Sequence, residues 1–182
     1  GVPQSYEDAV KYYNMAVQQG NPNAMFALAI LYDHGHGVAQ SYQKAADLYA
    51  LAANQRHGGA LFNLGNFYYS GGKGVAQSYS KAIELYTLAA KQGVANAQDN
   101  LGIIYYQGKL VAQSNDMARE WWLKAALEGH KGAIQHLQTL DQQEGKTTPT
   151  LPCCAACGTH ETTRCPLKSC NRCHTAQYCN RD

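Results

Sequence analysis

The chain has 182 residues, enough for one domain or two, with a formal net charge of +2 at pH 7. Residues 1–150 carry 11 basic and 11 acidic side chains and residues 151–182 carry 4 and 2, so no concentrated basic face exists of the kind that phosphate contacts require, and nucleic acid is not an expected partner. The longest apolar run, Ala24 to Tyr32, is too short to span a bilayer, which removes a membrane role through such a span.

In chain order, one stretch recurs four times. Gly37-Val38-Ala39-Gln40-Ser41-Tyr42-Gln43-Lys44-Ala45 returns as Gly74-Val75-Ala76-Gln77-Ser78-Tyr79-Ser80-Lys81-Ala82, with looser copies at Gly1-Val2-Pro3-Gln4-Ser5-Tyr6 and Leu110-Val111-Ala112-Gln113-Ser114-Asn115. Val2, Val38, Val75 and Val111 are separated by steps of 36, 37 and 36 residues. Fixed self-similarity at this period predicts stacked supersecondary units rather than one closed core. The units are expected at about 1–36, 37–73, 74–109 and 110–144.

Each unit reads as two helices. Ser5, Ser41, Ser78 and Ser114 stand where a side-chain oxygen can cap a first helix. That helix carries a stripe at spacings of four and three: Ala9, Tyr13, Ala16; Ala45, Tyr49, Ala52; Ala82, Tyr86, Ala89; and Ala118, Trp122, Ala125. Small alanines let neighbouring helices approach, and the aromatic ring fills the space between them. Gly20, Gly93 and Gly129 then end the helix, whereas the second copy has Arg56-His57-Gly58 there. The second helix is marked by Ala24, Leu28, Leu31, Tyr32 and by the equivalents Ala60, Leu64, Phe67, Tyr68 and Ala97, Leu101, Ile104, Tyr105. In the last copy Asp141 replaces the tyrosine and Glu144 replaces the glycine of Gly35, Gly71 and Gly108, as suits a polar terminal cap.

This pattern resembles the Sel-one-like repeat, a relative of the tetratricopeptide repeat with a longer inter-helix loop. The third copy carries it most fully, in Gly74, Val75, Tyr79, Lys81, Ala82, Tyr86, Ala89, Ala90, Gly93, Ala97, Leu101, Gly102, Tyr105 and Gly108. The resemblance implies an all-α fold over residues 1–144, a right-handed α-solenoid of four helix-turn-helix repeats that scaffolds other proteins.

Three features in the repeats invite a functional reading. Gly71-Gly72-Lys73-Gly74 hints at a phosphate loop, but a Walker motif needs Ser or Thr after the lysine and a strand before it, so it reads as an inter-repeat turn. His34 and His36 flank Gly35 without a third metal ligand. Trp121 and Trp122 are adjacent on a helix, where both cannot face one core, so one ring is expected as an exposed anchor.

Residues 145–152 contain two prolines and three threonines and read as a linker. All seven cysteines follow, between Cys153 and Cys179. Cys154-x-x-Cys157, Cys170-x-x-Cys173 and Cys179 have the spacing of zinc thiolates, and disulfides or a redox pair are the alternatives. Five such cysteines are one more than one tetrahedral site takes and too few for two. Cys153 stands four residues before Cys157 and is the less favoured ligand, and Cys165 and His160 fall between the pairs and read as non-ligands. With no Asn-x-Ser/Thr sequon and no signal peptide, the chain reads as a fragment of a longer intracellular protein, cytoplasmic or nuclear.

The run from Cys170 through Tyr178-Cys179 to Asp182 resembles a MYND-type zinc finger, so residues 153–182 are identified as part of one. The resemblance implies two Zn²⁺ ions: Cys154, Cys157 and Cys179 at the first, Cys170 and Cys173 at the second, with the remaining ligands beyond Asp182. It also implies binding of a short proline-rich peptide. The reading is a non-enzymatic adaptor with protein or peptide partners. The alternative is a fragment of a MYND-containing enzyme, such as a SET-type lysine methyltransferase, whose catalytic domain lies outside this chain.

Overall fold

In the repeated Gly-Val-Ala-Gln-Ser stretch the serine starts one helix and the glutamine fastens the loop to the helix before it. The computed structural model describes residues 5–71 and 74–146. In it, the hydroxyls of Ser5, Ser41, Ser78 and Ser114 accept the amides of Asp8, Lys44, Lys81 and Met117 and so start α1 (Tyr6–Gln18), α3 (Tyr42–Asn54), α5 (Tyr79–Lys91) and α7 (Asn115–Leu127). The backbone amides of Ser41, Ser78 and Ser114 donate to the carbonyls of Tyr32, Tyr68 and Tyr105 at 2.8–3.0 Å. Side-chain amides of Gln40, Gln77 and Gln113 donate to the next carbonyls along, those of Asp33, Tyr69 and Tyr106, at 2.7, 3.0 and 2.9 Å. Each loop is therefore stapled to the end of the helix before it: α2 (Pro22–His34), α4 (Gly58–Ser70) and α6 (Ala95–Gln107). Gly108 shows why glycine must precede the staple. Its φ is +65°, and a Cβ there would lie 2.5 Å from that of Gln113.

The helices starting at serine end in a shared way. In α1, α3, α5 and α7 the last turn closes with paired bonds, such as Asn21 N–H to the Ala16 carbonyl with Gly20 N–H to that of Val17. This is the Schellman arrangement, and it needs a left-handed residue. Gly20, Gly93 and Gly129 supply it, and in α3 Arg56 does so at φ 60°. The final helix, α8 (Lys131–Gln143), closes the same way through Gly145 and Lys146, so its left-handed glycine sits one position after Glu144.

The chain divides into two compact units at Val94 and Ala95. In the first, α1–α5 enclose a core of Met25, Ala29, Ala45, Tyr49, Ala52, Leu64 and Phe67. In the second, α6–α8 enclose Ala118, Trp122, Ala125, Ala133, Leu137 and Leu140. The alanine–aromatic stripe is buried in α3, α5 and α7, as its spacing predicts. In α1, Ala9, Tyr13 and Ala16 are only half-buried, because α2 is the helix that chiefly covers it.

Small residues on one helix seat the ring of the next. A Cβ on Gly65 would lie 2.7 Å from the Tyr86 ring, and one on Gly102 would lie 2.3 Å from Trp122 Nε1. Such distances exclude any side chain, so the close approach of α4 to α5 and of α6 to α7 depends on these two glycines.

Candidate interaction surface

Both tryptophans of Trp121-Trp122 are buried, at 9% and 2% exposure, so neither is the exposed anchor the sequence predicts. The reason is that α7 packs against α6 on one side and α8 on another, widening its buried face beyond one stripe. Lys124 Nζ also covers Trp121, 4.3 Å from the ring centre.

Several buried polar groups within the units pair one helix with another. Tyr49 accepts a hydrogen bond from Asn63 at 3.0 Å, and burial, opposed by that bond and aided by the Asp33 charge, pushes its phenol up to about 12. Such a group does no acid–base work near neutral pH. The Tyr86 hydroxyl donates to Asn66 at 2.7 Å. In the second unit, His136 Nδ1–H donates to the buried Asp99 carboxylate at 3.0 Å, and the Trp122 indole donates to the Asp99 carbonyl at 3.3 Å. His130 Nδ1 accepts the Ala133 amide as the cap of α8, leaving its Nε2–H to Asn96 at 3.0 Å. The Asp99–His136 pair has the orientation of a catalytic dyad, but no described serine, threonine or cysteine is bonded to His136, so the pair joins α6 to α8.

The remaining sequence candidates fall in two groups. His34 and His36 stack at 5.5 Å, His36 also stacks on Tyr6 at 4.9 Å, and His34 Nδ1–H donates to the Ile30 carbonyl. Among the described residues no group of three or more His, Cys, Asp or Glu side chains is arranged to hold a metal. Cys154, Cys157, Cys170, Cys173 and Cys179 lie outside the described residues, as do Gly72 and Lys73 of the glycine-rich turn. No described helix is long and apolar enough to cross a membrane.

What the described surface does offer is exposed apolar area. Of its eight exposed large hydrophobic side chains, all but Leu127 belong to the first unit: Tyr6, Tyr12, Met15, Leu51, Tyr69, Tyr79 and Leu88. Tyr69 and Tyr79 meet edge-to-face at 5.4 Å, with the Gln77 amide donating to the Tyr79 hydroxyl at 2.9 Å, so these two rings are held in place rather than loose.

The family model for the Sel1 repeat matches residues 1–21, 22–57, 59–94 and 95–130. The chain belongs to the Sel1 repeat family. The full matches pair α2 with α3, α4 with α5 and α6 with α7, the helices joined by the stapled loops. A Sel1 repeat protein from Oxalobacter formigenes is similar at 31% identity with a TM-score of 0.71, over 77% of this chain and 56% of that one. The protective antigen c5321 of uropathogenic Escherichia coli, which displays an SLR fold, is similar at 30% identity with a TM-score of 0.74, over 79% of this chain and 30% of that one. The Sel1 chain thus spans about half of the first and less than a third of the second. No curated protein matches it. Four repeats and the eight described helices make residues 5–146 an all-α solenoid of the family, whose members are generally non-enzymatic scaffolds for protein interactions.

Proposed function

We propose that this Sel1 repeat chain is an adaptor that binds a protein partner through the first unit. The observation that carries the reading is the placement of the exposed rings and aliphatic side chains: seven of eight lie between Tyr6 and Leu88, on α1, α3, α4 and α5. Aromatic anchors dominate interface energies where a partner desolvates them. Long surfaces built from repeats suit extended segments or helices better than small substrates. The buried polar groups support a non-catalytic role, since each one described above is spent on holding helices together.

For the tail, we propose that Cys154, Cys157, Cys170, Cys173 and Cys179 hold Zn²⁺ in a MYND-type finger that binds a peptide, in an intracellular protein. The support is their spacing alone.

The test of the adaptor reading is capture with the intact chain, followed by hydrogen-exchange footprinting of the complex. A specific protein partner that protects α1, α3 or α5, and that Tyr12→Ser with Leu51→Gln releases, is the expected result. A tightly bound small metabolite with no protein partner would overturn it.

A further inference from the structure

Three side chains at one repeat position stand out of the first unit. Met15, Leu51 and Leu88 lie at equivalent points of α1, α3 and α5, and are 60%, 49% and 44% exposed. Single exposed leucines are ordinary, but the same repeat position open and aliphatic in three successive copies is a row. The fourth copy shows the alternative. There the position is Lys124, bonded to Glu120 at 2.6 Å and resting on Trp121, so the row does not recur in the second unit.

Charge separates this row from a plain apolar patch. One helical turn before each member stand Lys11, Asp47 and Glu84, on the same helix face. Lys11 is bonded to Asp8 at 3.2 Å. Asp47 accepts a bond from Gln43 at 3.0 Å, and neither Asp47 nor Glu84 forms an ion pair with a described residue. Both are exposed. The face therefore pairs an open leucine with an exposed carboxylate that forms no ion pair among the described residues, twice, at one repeat interval, while the nearest lysines, Lys44 and Lys81, lie over the rings of Tyr32 and Tyr68.

We infer that the Met15–Leu51–Leu88 row, with Asp47 and Glu84, is the docking site for an extended peptide segment in which apolar and arginine or lysine residues are interleaved. The inference rests on the adaptor reading and specifies its surface and the chemistry of its partner. The row crosses the helices rather than following one. Neighbouring members are separated by an intervening helix, at most about 20 Å given packed axes 8–10 Å apart. About six extended residues cross that gap, so one segment can seat an apolar side chain on each leucine and a cation on each acid. A segment of like charge would meet Asp47 and Glu84 directly and be rejected.

The probe is a short labelled peptide alternating leucine with arginine, its twin with glutamate in place of arginine, and the intact chain, read by fluorescence anisotropy at physiological salt. The leucine–arginine probe should bind and the glutamate twin should not. Leu51→Gln with Leu88→Gln, and separately Asp47→Asn with Glu84→Gln, should each weaken binding by about tenfold or more. Lys124→Leu in the second unit should leave it unchanged. All these positions are exposed, and unchanged circular dichroism of each variant would establish that it still folds. Absence of binding by the wild-type chain, or equal binding by both double variants, overturns the inference. If a captured partner instead protects a surface away from α3 and α5, the adaptor reading stands and this docking site alone falls.

Discussion

Arg119 on α7 forms an ion pair with Asp141 on α8, and both side chains are nearly buried, at 12% and 6% exposure. Arg119 reaches with its other nitrogen to Glu144 at 2.6 Å, and Glu144 is also bonded to Asn115 at 3.1 Å and to Lys146 at 2.6 Å. Burial alone would pull the Arg119 guanidinium down, but its bonds to Asp141 and Glu144 outweigh that and raise it. The two residues that make the last repeat look polar in sequence thus form a clasp between its helices. In earlier copies the position of Asp141 is a tyrosine, and Tyr32 and Tyr68 lie beneath Lys44 and Lys81 of the following helix, 5.1 and 5.0 Å from the ring centres. Asp141 instead turns back to the helix before it.

Replacing Asp141 with Ala removes the more buried of the two carboxylates on Arg119 and leaves Glu144 alone to pair it, and should destabilise the second unit by roughly 1–3 kcal/mol. Replacing both Arg119 and Asp141 with Met and Leu should cost far less, because no unpaired charge remains. Urea denaturation of the three variants checks this. A single and a double variant of equal stability would refute the clasp.

The same clasp sets an acid limit. Lys146 first, then Arg119 and Asn115 against the opposing effect of burial, hold the Glu144 carboxyl at about 2, below its ordinary 4.5. A carboxyl depressed in the folded state stabilises above its ordinary value and stops doing so as pH falls through the folded one. Glu144→Gln should therefore be less stable than wild type at neutral pH. The difference should shrink from about pH 4.5 downward and vanish near pH 2, as thermal denaturation across that range would show.

Gly102 and Trp122 give a sharper test of packing. Gly102→Ala places a methyl where the indole nitrogen now sits, and overpacking of this kind costs about 1–3 kcal/mol. In the first copy the equivalent residue is Ala29, fully buried in one cluster with the smaller ring of Tyr49. Trp122→Tyr should accordingly recover part of the loss in the double variant, with a coupling of at least about 0.5 kcal/mol in a thermodynamic cycle. Strictly additive effects would refute a direct clash.

Much of this was legible in the sequence, for identifiable reasons. Serine caps, the alanine–aromatic stripe and the glycine stops are local rules that repeat, so the 36–37-residue period exposes them together. Gln40, Gln77 and Gln113 recur just as regularly, yet their role stays hidden, because a loop glutamine has no periodicity that says which carbonyl it reaches. Trp121 is misplaced by a one-stripe view of a helix that has neighbours on two sides. The row of Met15, Leu51 and Leu88 is invisible to hydrophobic patterning, which assigns aliphatic residues to cores. The cysteine cluster has its own spacing rule, independent of the helices.

Arg56 is the one described non-glycine residue with positive φ, at 60°, and it stands where Gly20, Gly93 and Gly129 stand in the other copies. The left-handed conformation costs an L-residue roughly 1 kcal/mol. A glycine escapes that cost but loses more backbone entropy on folding. Arg56→Gly should stabilise the first unit by several tenths of a kcal/mol, and Gly93→Ala at the equivalent site should destabilise it by a similar amount. Paired denaturation curves decide; a destabilised Arg56→Gly would mean that the arginine side chain makes a compensating contact.

The final prediction concerns the five spaced cysteines. Zinc in small finger peptides contributes roughly 10–16 kcal/mol of apparent binding free energy, so thiolates that can converge on one ion should take it up under reducing conditions. Cys154, Cys157 and Cys179 supply three of four tetrahedral ligands in the MYND-type assignment, whereas Cys170 and Cys173 supply two. The intact chain, purified with a reductant and dilute zinc, should therefore carry one tightly held ion, with water able to complete the set. Native mass spectrometry gives the stoichiometry, and Cys154→Ser should abolish that ion while Cys170→Ser leaves it in place. The helical spectrum of the repeats should be the same with and without chelator, because none of their described contacts involves a cysteine. Disulfide-linked cysteines and no metal under the same conditions would remove both the zinc and the intracellular placement that rests on free thiols. Equal zinc loss in the two variants would instead leave zinc in place and overturn the division of the cysteines between two sites.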